Sequence, residues 1–361
     1  MIKKIEYSIR KFLLRVLSWL SRKTKSSSDK IKINSDTKCL IIRINRIGDA
    51  LVTTPFIHLL KQKTCCNISV LADRKNYFAF NNNPDIDEIM IYDKGLKGFF
   101  QTLKVINSRN FDIVIDAHDD VSTTVSFLIS AIRCNYKLGL EKSNKSIFTH
   151  TTPRPDANKY HVTERICSLL KILEINYSKE EIKIIYNPTE SSINKIKESF
   201  ENIFHRNKFL LGINISAGSD ARFWGTENFR LLINKLSEYD INIILICHQK
   251  DFDKAKKIID EKFIFNPTND FDLFAAVIQN LNMLFTPDTS AVFLADAKGI
   301  TVFELFVKYQ MDEIIWHPIN SEFDCVITEE PTLHNIEFEQ VWKKFLPFFE
   351  KHLKLYNELL K

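Results

Sequence analysis

Apolar and polar positions alternate along the chain in the pattern of an α/β protein. From residue 37 onward, short apolar runs of strand length are separated by segments with the period of amphipathic helices. In the first half, the pattern predicts strands at residues 39–45, 68–72, 88–92 and 111–117, and helices at 50–62 and 163–173. Strands that alternate with helices indicate βαβ units and a parallel sheet.

A second series of strands and helices follows a polar stretch at residues 176–192. Its predicted strands are 209–215, 241–247, 282–288 and 300–306, the last being taken as the final strand of the chain. Helices are predicted from about Thr226, which is a plausible N-cap, at 290–299, and at 337–361 with a kink at Pro347. The predicted organisation is an N-terminal helix and linker (1–35), two Rossmann-like domains (36–185 and 186–330) and a C-terminal helix (331–361).

The first 23 residues form a pattern of their own. Apolar residues recur there at helical spacing, Lys and Arg occupy the positions between them, and Trp19 lies near the end. A basic amphipathic helix of this kind is typical of proteins that lie on a membrane surface, although it is equally compatible with a helix that packs on its own protein. No run is long and apolar enough to cross a bilayer, and no cleavage site follows that would indicate a signal peptide.

Composition narrows the class of protein. The chain of 361 residues is 45% hydrophobic and 26% charged, which is ordinary for a soluble globular protein. The net charge of +5 is too small for a dedicated nucleic-acid binder, but it suits anionic substrates or an anionic membrane surface. The seven cysteines are scattered without metal spacing, which predicts a reducing compartment and no metal site.

Three segments place polar residues directly after predicted strands, where ligands bind to parallel sheets. The first segment is Asn45-Arg46-Ile47-Gly48-Asp49. Gly48 would let a ligand approach the backbone, and the start of the next helix offers free N–H groups to an anion. Asp49 is placed either to act as a general base or simply to favour the helix dipole. Neither a GxGxxG nor a Walker loop is present, so ordinary dinucleotide and P-loop sites are excluded.

The second segment, residues 216–224, follows the predicted strand 209–215. Ser216 and Gly218 are small enough to form a backbone cradle for phosphate oxygens, and Arg222 can supply a charge-assisted contact to them. We interpret Trp224 as a core or loop anchor rather than a base-stacking residue. A solvated arginine in an ordinary loop is the alternative for Arg222.

The third segment, Asp288-Thr289-Ser290, opens a predicted helix. Either Asp288 or Thr289 is a good N-cap, and the free N–H groups behind them suit a phosphate. Taken alone, the segment is also explained by capping without any ligand.

Together, the order and spacing of these segments resemble glycosyltransferase family 9, the heptosyltransferases of lipopolysaccharide core synthesis. That family opens with a strand, a Gly-Asp turn and a Thr-Pro pair, matched here by IIRINRIGDALVTTP. Its second domain begins with a strand, a small-residue loop and a basic-x-Trp element, matched by GINISAGSDARFWGTENF. Its last motif, Asp-Thr-Gly before a His-containing helix, is matched by TPDTSAVFLADAKGITVFELF. The resemblance covers residues 39–306.

The resemblance implies a GT-B architecture, in which two Rossmann-like domains with parallel sheets face each other across a cleft. It implies inverting transfer without a metal or cofactor, and it places the catalytic base at Asp49. The donor would be a nucleotide sugar, ADP-heptose in most of the family. The donor-binding residues implied are Ser216, Gly218, Arg222, Asp288, Thr289 and Ser290, and the turn residues are Asn45, Arg46 and Gly48.

The acceptor implied is a lipid-linked glycan of the lipopolysaccharide core or a related surface glycan. Because that substrate is membrane-bound, we expect a cytoplasmic protein that lies peripherally on the inner membrane through its N-terminal helix. His118 and Asp119 follow a predicted strand and are candidates to hold acceptor hydroxyls.

Three positions depart from the family pattern. Arg222 stands where the family usually has Lys, Ser290 where it has Gly, and Phe293 where it has His. The last two changes leave open a donor other than ADP-heptose. Two other functions also stay open: a catalytically silent sugar-nucleotide-binding or membrane scaffold protein, and another GT-B enzyme such as a nucleotide-sugar epimerase.

Overall fold

The computed structural model describes residues 30–205, 207–267 and 270–361. The amphipathic helix predicted at the N-terminus lies outside these residues. The chain divides into two compact units, Met1–Ile185 and Tyr186–Lys361, and each has its own sheet.

The first unit is built on a six-stranded sheet in the order β3-β2-β1-β4-β5-β6, in which all neighbours are parallel. The strands are β1 Lys38–Ile42, β2 Asn67–Asp73, β3 Glu88–Tyr92, β4 Ile113–Asp116, β5 Tyr136–Leu140 and β6 His150–Thr152. The last four residues of β1 (KCLII) are all buried. Because successive side chains point to opposite faces, both faces of this strand are covered, as in α/β proteins generally.

Among the described residues, this unit also contains five α-helices and several short 3₁₀ segments. The helices are α1 Ile47–Leu51, α2 Thr54–Thr64, α3 Leu96–Arg109, α4 Thr123–Ala131 and α5 Val162–Cys167. The single helix predicted at 50–62 is therefore two helices. Pro55 lies in the first turn of α2, where its missing N–H costs nothing, so it begins a new helix instead of continuing α1. The helix predicted at 163–173 is α5 followed by a 3₁₀ segment, Ser168–Leu173.

The second unit repeats this plan with a six-stranded parallel sheet in the order β12-β11-β10-β7-β8-β9. The strands are β7 Leu210–Asn214, β8 Asn242–Ile246, β9 Ile264–Phe265, β10 Met283–Pro287, β11 Thr301–Val307 and β12 Phe323–Thr328. The helices are α6 Glu190–Ile203, α7 Thr226–Leu236, α8 Phe252–Ala255, α9 Phe271–Gln279, α10 Ser290–Asp296 and α11 Phe338–Leu359. The predicted α/β class with two parallel sheets is thus confirmed.

Two sequence predictions in this unit are wrong. The strand at 300–306 is not the last, because β12 follows it and pairs with β11; Asp324 inside β12 interrupts the apolar run that would have marked a strand. Thr226 is not an N-cap. Gly225 holds that position with a φ of 110°, a conformation that glycine adopts without strain.

An aromatic cluster forms the core of the second unit. Trp224 is fully buried, and its Nε1 donates a hydrogen bond to Ile336 O at 2.8 Å. Phe303 stacks on Phe285 at a centroid distance of 5.5 Å and meets Phe345 of α11 edge-on at 5.0 Å. The prediction that Trp224 is a core anchor is confirmed. Within the described ranges, no helix is long and apolar enough to cross a membrane.

Candidate active site

In the first unit, Asp49 lies in α1, immediately beyond the carboxyl end of β1. Its carboxylate Oδ1 is 3.0 Å from Nη2 of Arg43, whose side chain is only 2% exposed. Arg43 also donates from Nε to Asp49 O and from Nη1 to Ala117 O, both at 2.9 Å. A rigid guanidinium fork therefore fixes both the backbone and the carboxylate of Asp49.

The second carboxylate oxygen of Asp49 is not engaged in this way. The side chain is 18% exposed, and Oδ2 has no hydrogen-bond partner in the part of the chain that the structure describes. One oxygen is held by a cation and the other can accept a proton. This arrangement suits a general base.

The turn that leads to Asp49 is made at Asn45 and not at Gly48. Asn45 has a φ of 105°, which is unusual for a residue with a side chain. Gly48 lies inside α1, where its carbonyl accepts from Val52 N at 3.0 Å, so of the three predicted turn residues it is Asn45 that has the positive φ. Strained backbone held between a buried strand and a helix is common at functional sites. Arg46 is the exposed N-cap residue of α1.

A buried charge cluster supports this turn from β4. Asp116 Oδ1 is 2.8 Å from Nδ1 of His118, and its Oδ2 is 3.0 Å from Nζ of Lys142. Burial by itself would raise the pKa of Asp116, but Lys142 and His118 outweigh it and hold the pKa below its ordinary value. His118 Nε2 in turn lies 3.3 Å from Ile44 N and 3.2 Å from Ile44 O. His118 is thus buried with both ring nitrogens against protein groups, and its predicted role as an acceptor ligand stays a prediction.

Asp119 is likewise engaged by protein groups. Arg165, which is fully buried, donates from Nε to Oδ1 at 3.0 Å and from Nη2 to Oδ2 at 2.8 Å. Arg154 contacts the same two oxygens at 3.0 and 2.7 Å. Burial tends to raise the pKa of Asp119, but the two arginines lower it below its ordinary range. The sequence indicated neither arginine, because both are distant from Asp119 along the chain.

In the second unit, the predicted donor residues cluster at the carboxyl ends of β7 and β10. Asn214 donates to Thr286 Oγ1 at 2.9 Å and accepts from Ser216 N at 3.1 Å. Ser216 Oγ donates to Asp251 Oδ2 at 2.7 Å. Thr289 is the N-cap of α10, with Oγ1 accepting from Ala291 N at 3.2 Å, so of the two predicted caps it is Thr289 that serves.

Arg222 and Asp288 are brought together in this unit. Arg222 Nη2 is 2.9 Å from Asp288 Oδ2, and both side chains are partly exposed. Gly218 lies in the adjoining loop without a positive φ, and a Cβ added there would meet nothing within 4 Å. The loop therefore borders open space beside a guanidinium, as a phosphate cradle requires.

Two lysines that the sequence analysis did not single out lie by the same loop. Lys250 donates to Ala217 O at 3.0 Å. Lys254 Nζ lies 3.2 Å from Asp251 Oδ1 and 4.5 Å from the ring centroid of Phe223. Burial would lower the pKa of Lys254, but its acidic neighbours raise it, so it stays a cation. Both lysines follow the predicted strand that became β8, and this position was the sequence signal from which they could have been identified.

Two of the three departures from the family pattern, Ser290 and Phe293, lie in α10. Ser290 is the first residue of this helix, and the Phe293 side chain is buried, with 3% of its surface exposed. The Phe293 side chain therefore serves packing. Among the described residues, no group of three or more His, Cys, Asp or Glu side chains could hold a metal ion.

Comparison with solved structures supports the fold. The glycosyl transferase family 9 protein from Veillonella parvula DSM 2008 superposes with a TM-score of 0.77 at 18% identity, covering 90% of this chain and 99% of that one. E. coli ADP-heptose lps heptosyltransferase II gives 0.69 at 13% identity, covering 87% and 99%. E. coli heptosyltransferase WaaC with ADP gives 0.67 at 15% identity, also covering 87% and 99%. These likenesses establish the GT-B type of fold.

Sequence comparison identifies the family. No curated protein matches the chain. The family model "Glycosyltransferase family 9 (heptosyltransferase)", however, matches residues 99–346, more than two thirds of the 361 residues. The match includes Arg222, Asp288 and the aromatic core of the second unit. The chain therefore belongs to glycosyltransferase family 9 and is a glycosyltransferase.

Proposed function

We propose that this glycosyltransferase moves a sugar from a nucleotide-sugar donor to a hydroxyl group of a lipid-linked glycan, with inversion at the anomeric carbon. The observation that carries the proposal is the Asp49 carboxylate, which a buried Arg43 holds by one oxygen. A base with fixed orientation and a free oxygen is what deprotonation of an acceptor hydroxyl needs.

The proposed reaction is a single displacement. Asp49 Oδ2 takes the proton of the acceptor hydroxyl while its oxygen forms a bond to the anomeric carbon of the donor sugar. The bond between that carbon and the diphosphate oxygen breaks, and the nucleoside diphosphate leaves with the electron pair. Because attack and departure occur on opposite sides of the carbon, the configuration inverts.

The leaving diphosphate gains negative charge as this bond breaks, so cations near it stabilise the transition state. Arg222, Lys250 and Lys254 are the cations beside the loop 216–222. We assign the diphosphate to this loop, with Arg222 exchanging its contact with Asp288 for a phosphate oxygen. The other residues that we assign to donor binding are Ser216, Gly218, Thr289 and Ser290.

We propose ADP-heptose as the donor and a lipopolysaccharide core or related surface glycan as the acceptor. The names of two similar structures include ADP-heptose or ADP, which supports an adenine nucleotide. Phe293 is buried where the family resemblance implies a polar histidine, so one donor contact of the family is absent.

A calorimetric titration of the purified protein against a panel of nucleotide sugars tests the donor. Selective binding of ADP-heptose supports the proposal, and preference for another nucleotide sugar would make Ser290 and Phe293 the residues that set specificity. Binding of none would contradict the enzyme proposal and favour a silent scaffold. Release of isomerised donor without acceptor would indicate an epimerase instead.

We also propose that the protein works on the cytoplasmic face of the inner membrane, where a lipid-linked acceptor is available. Helix α3 supports this proposal, because Leu96 and Phe100 are 81% and 63% exposed on it. The helix carries Lys97, Lys104 and Arg109 and no acidic residue. Exposed apolar side chains among basic ones are typical of a helix that rests on anionic lipid.

Sedimentation with anionic phospholipid vesicles tests this surface. The double variant Leu96→Ser, Phe100→Ser should bind vesicles at least about 100-fold more weakly, because each lost apolar side chain removes about 1.5–3 kcal/mol of burial, or about 3–6 kcal/mol for the two together. Leu359→Ser is the matched control, since Leu359 is 88% exposed on α11 of the second unit. Equal binding by all three proteins would contradict the role of α3. Removal of residues 1–34 tests the N-terminal helix in the same assay.

A further inference from the structure

Glu304 is a buried carboxyl group within the second sheet. It lies on β11, in register with Thr286 of β10 and Cys325 of β12. Its side chain is fully shielded from solvent, and neither carboxyl oxygen has a hydrogen-bond partner among the residues that the structure describes. Buried polar groups in native proteins are nearly always hydrogen-bonded, so this exception requires a physical explanation.

The charged and titratable groups that act on Glu304 are Asp288, Arg222 and Cys325. Asp288 N donates to Leu305 O, the residue next to Glu304, at 3.0 Å. Burial first, and then the Asp288 charge, raise the pKa of Glu304 well above its ordinary value, while Arg222 acts in the opposite direction. Burial and Glu304 together raise the pKa of Cys325 to about 11, so this thiol is neutral as well.

The protonation of Glu304 decides the net charge around Arg222. With Glu304 neutral, Arg222 and Asp288 form an ion pair of zero net charge. If Glu304 lost its proton, the same three side chains would carry one net negative charge. An anion approaching Arg222 would then be repelled by a carboxylate in a poorly solvated environment, where charge interactions are strong.

We propose that Glu304 is a positioning residue for the donor site, which as a neutral acid acts through Asp288 and Arg222 to keep the guanidinium charge available to a nucleoside diphosphate. Glu304 does not touch the ligand, because it is fully buried. This inference rests on the proposed function, since it takes Arg222 as a contact of the diphosphate.

The affinity of the full-length protein for ADP, measured by calorimetry, tests the role of Glu304. Glu304→Gln keeps the shape of the acid and is uncharged at every pH. The phosphate groups of ADP also titrate, and this changes the affinity of both proteins alike. The informative quantity is therefore the dissociation constant of the wild type for ADP divided by that of Glu304→Gln. We expect a ratio near one at about pH 6, and about tenfold weaker binding by the wild type above the pH at which its unfolding difference from Glu304→Gln, described next, stops growing, because the folded protein has then lost the Glu304 proton. A ratio that stays constant across that pH would overturn the positioning role.

Chemical denaturation without ligand tests the protonated state separately. If Glu304 keeps its proton in the folded protein, the unfolded chain releases that proton above the ordinary glutamate pKa. The ratio of the wild-type unfolding constant to that of Glu304→Gln should then rise by up to tenfold for each pH unit above that pKa. Glu330→Gln, at an exposed position, is the matched control and should show no such trend. If the difference in unfolding free energy between the wild type and Glu304→Gln did not change with pH, the inference would be overturned regardless of the result for ADP binding.

The two experiments fail in different ways. If the wild type shows the denaturation trend but binds ADP at no pH, the proposed donor site fails and takes the positioning role with it. If ADP binds but the affinity ratio is constant, the donor site stands and only the role of Glu304 is overturned.

Discussion

Replacement of Arg43 by lysine separates the orientation of Asp49 from the charge beside it. The guanidinium makes three contacts, to Asp49 O, Asp49 Oδ1 and Ala117 O. A lysine keeps the positive charge, but its single ammonium group cannot reproduce a planar fork. We expect it to keep one of these contacts and to leave two acceptors without their donor.

The magnitude follows from those lost contacts. Each unmade buried hydrogen bond costs about 1–2 kcal/mol, so Arg43→Lys should lower the free energy of unfolding by about 2–4 kcal/mol. A misplaced base costs more in rate than in stability, because a shift of about 1 Å can lower a rate about 100-fold. We therefore expect kcat for sugar transfer to fall about 10- to 100-fold while the donor KM changes little.

Initial rates of ADP release, together with urea unfolding of the same samples, provide the assay. Arg230→Lys is the matched control, because Arg230 is exposed on α7 of the second unit and its guanidinium pairs there with Glu227. The reasoning is refuted if Arg43→Lys loses stability as expected but retains kcat within twofold of the wild type. Arg43 would then stabilise the fold without orienting a catalytic base.

Four further substitutions test other parts of the structure. Asp119→Asn should lower the free energy of unfolding by about 3–5 kcal/mol near neutral pH, because it removes the carboxylate charge that pairs with the buried Arg165 and the partly exposed Arg154. Since the pKa of Asp119 is lowered in the folded state, the wild type should lose this advantage as pH falls below about 4, which urea unfolding across pH would show. Gly98→Ala should lower the free energy of unfolding by at least about 1–3 kcal/mol, because a Cβ there meets Asp93 O at 1.9 Å. In the same urea assay, Gly218→Ala should change that free energy by less than about 0.5 kcal/mol, because a Cβ there meets nothing within 4 Å. Trp224→Phe should lower the melting temperature by several degrees, because Ile336 O loses its donor and the core loses ring volume; an unchanged value would contradict the assigned packing.

The sequence indicated the fold well because its signals are local. A continuous apolar strand such as β1 is recognisable from its own residues, and so is the capping position of Thr289. Strands that are short or interrupted by polar residues were missed, among them β5, β6, β9 and β12. Their pairing depends on neighbours already in the sheet, which a single sequence does not show.

The candidate site was predicted less completely. The sequence indicated Asp49 and Arg222 through the family resemblance, but it did not indicate Arg43, whose charged side chain lies at the end of an apolar strand. The clamp of Arg154 and Arg165 on Asp119 spans 35 and 46 residues of chain, so only the folded structure reveals it. The positive φ of Asn45 is likewise visible only in the structure, because the sequence named Asn45, Arg46 and Gly48 as turn residues without indicating which of them adopts it.

The central claim is that Asp49 is the general base of a glycosyl transfer. The most direct test is the single-turnover rate of Asp49→Asn with saturating ADP-heptose and a lipid-linked acceptor. Asparagine keeps an oxygen for Arg43 but cannot take up the hydroxyl proton. We predict a rate about 100- to 10,000-fold below that of the wild type, the usual contribution of a general base. A rate within twofold of the wild type would contradict the account.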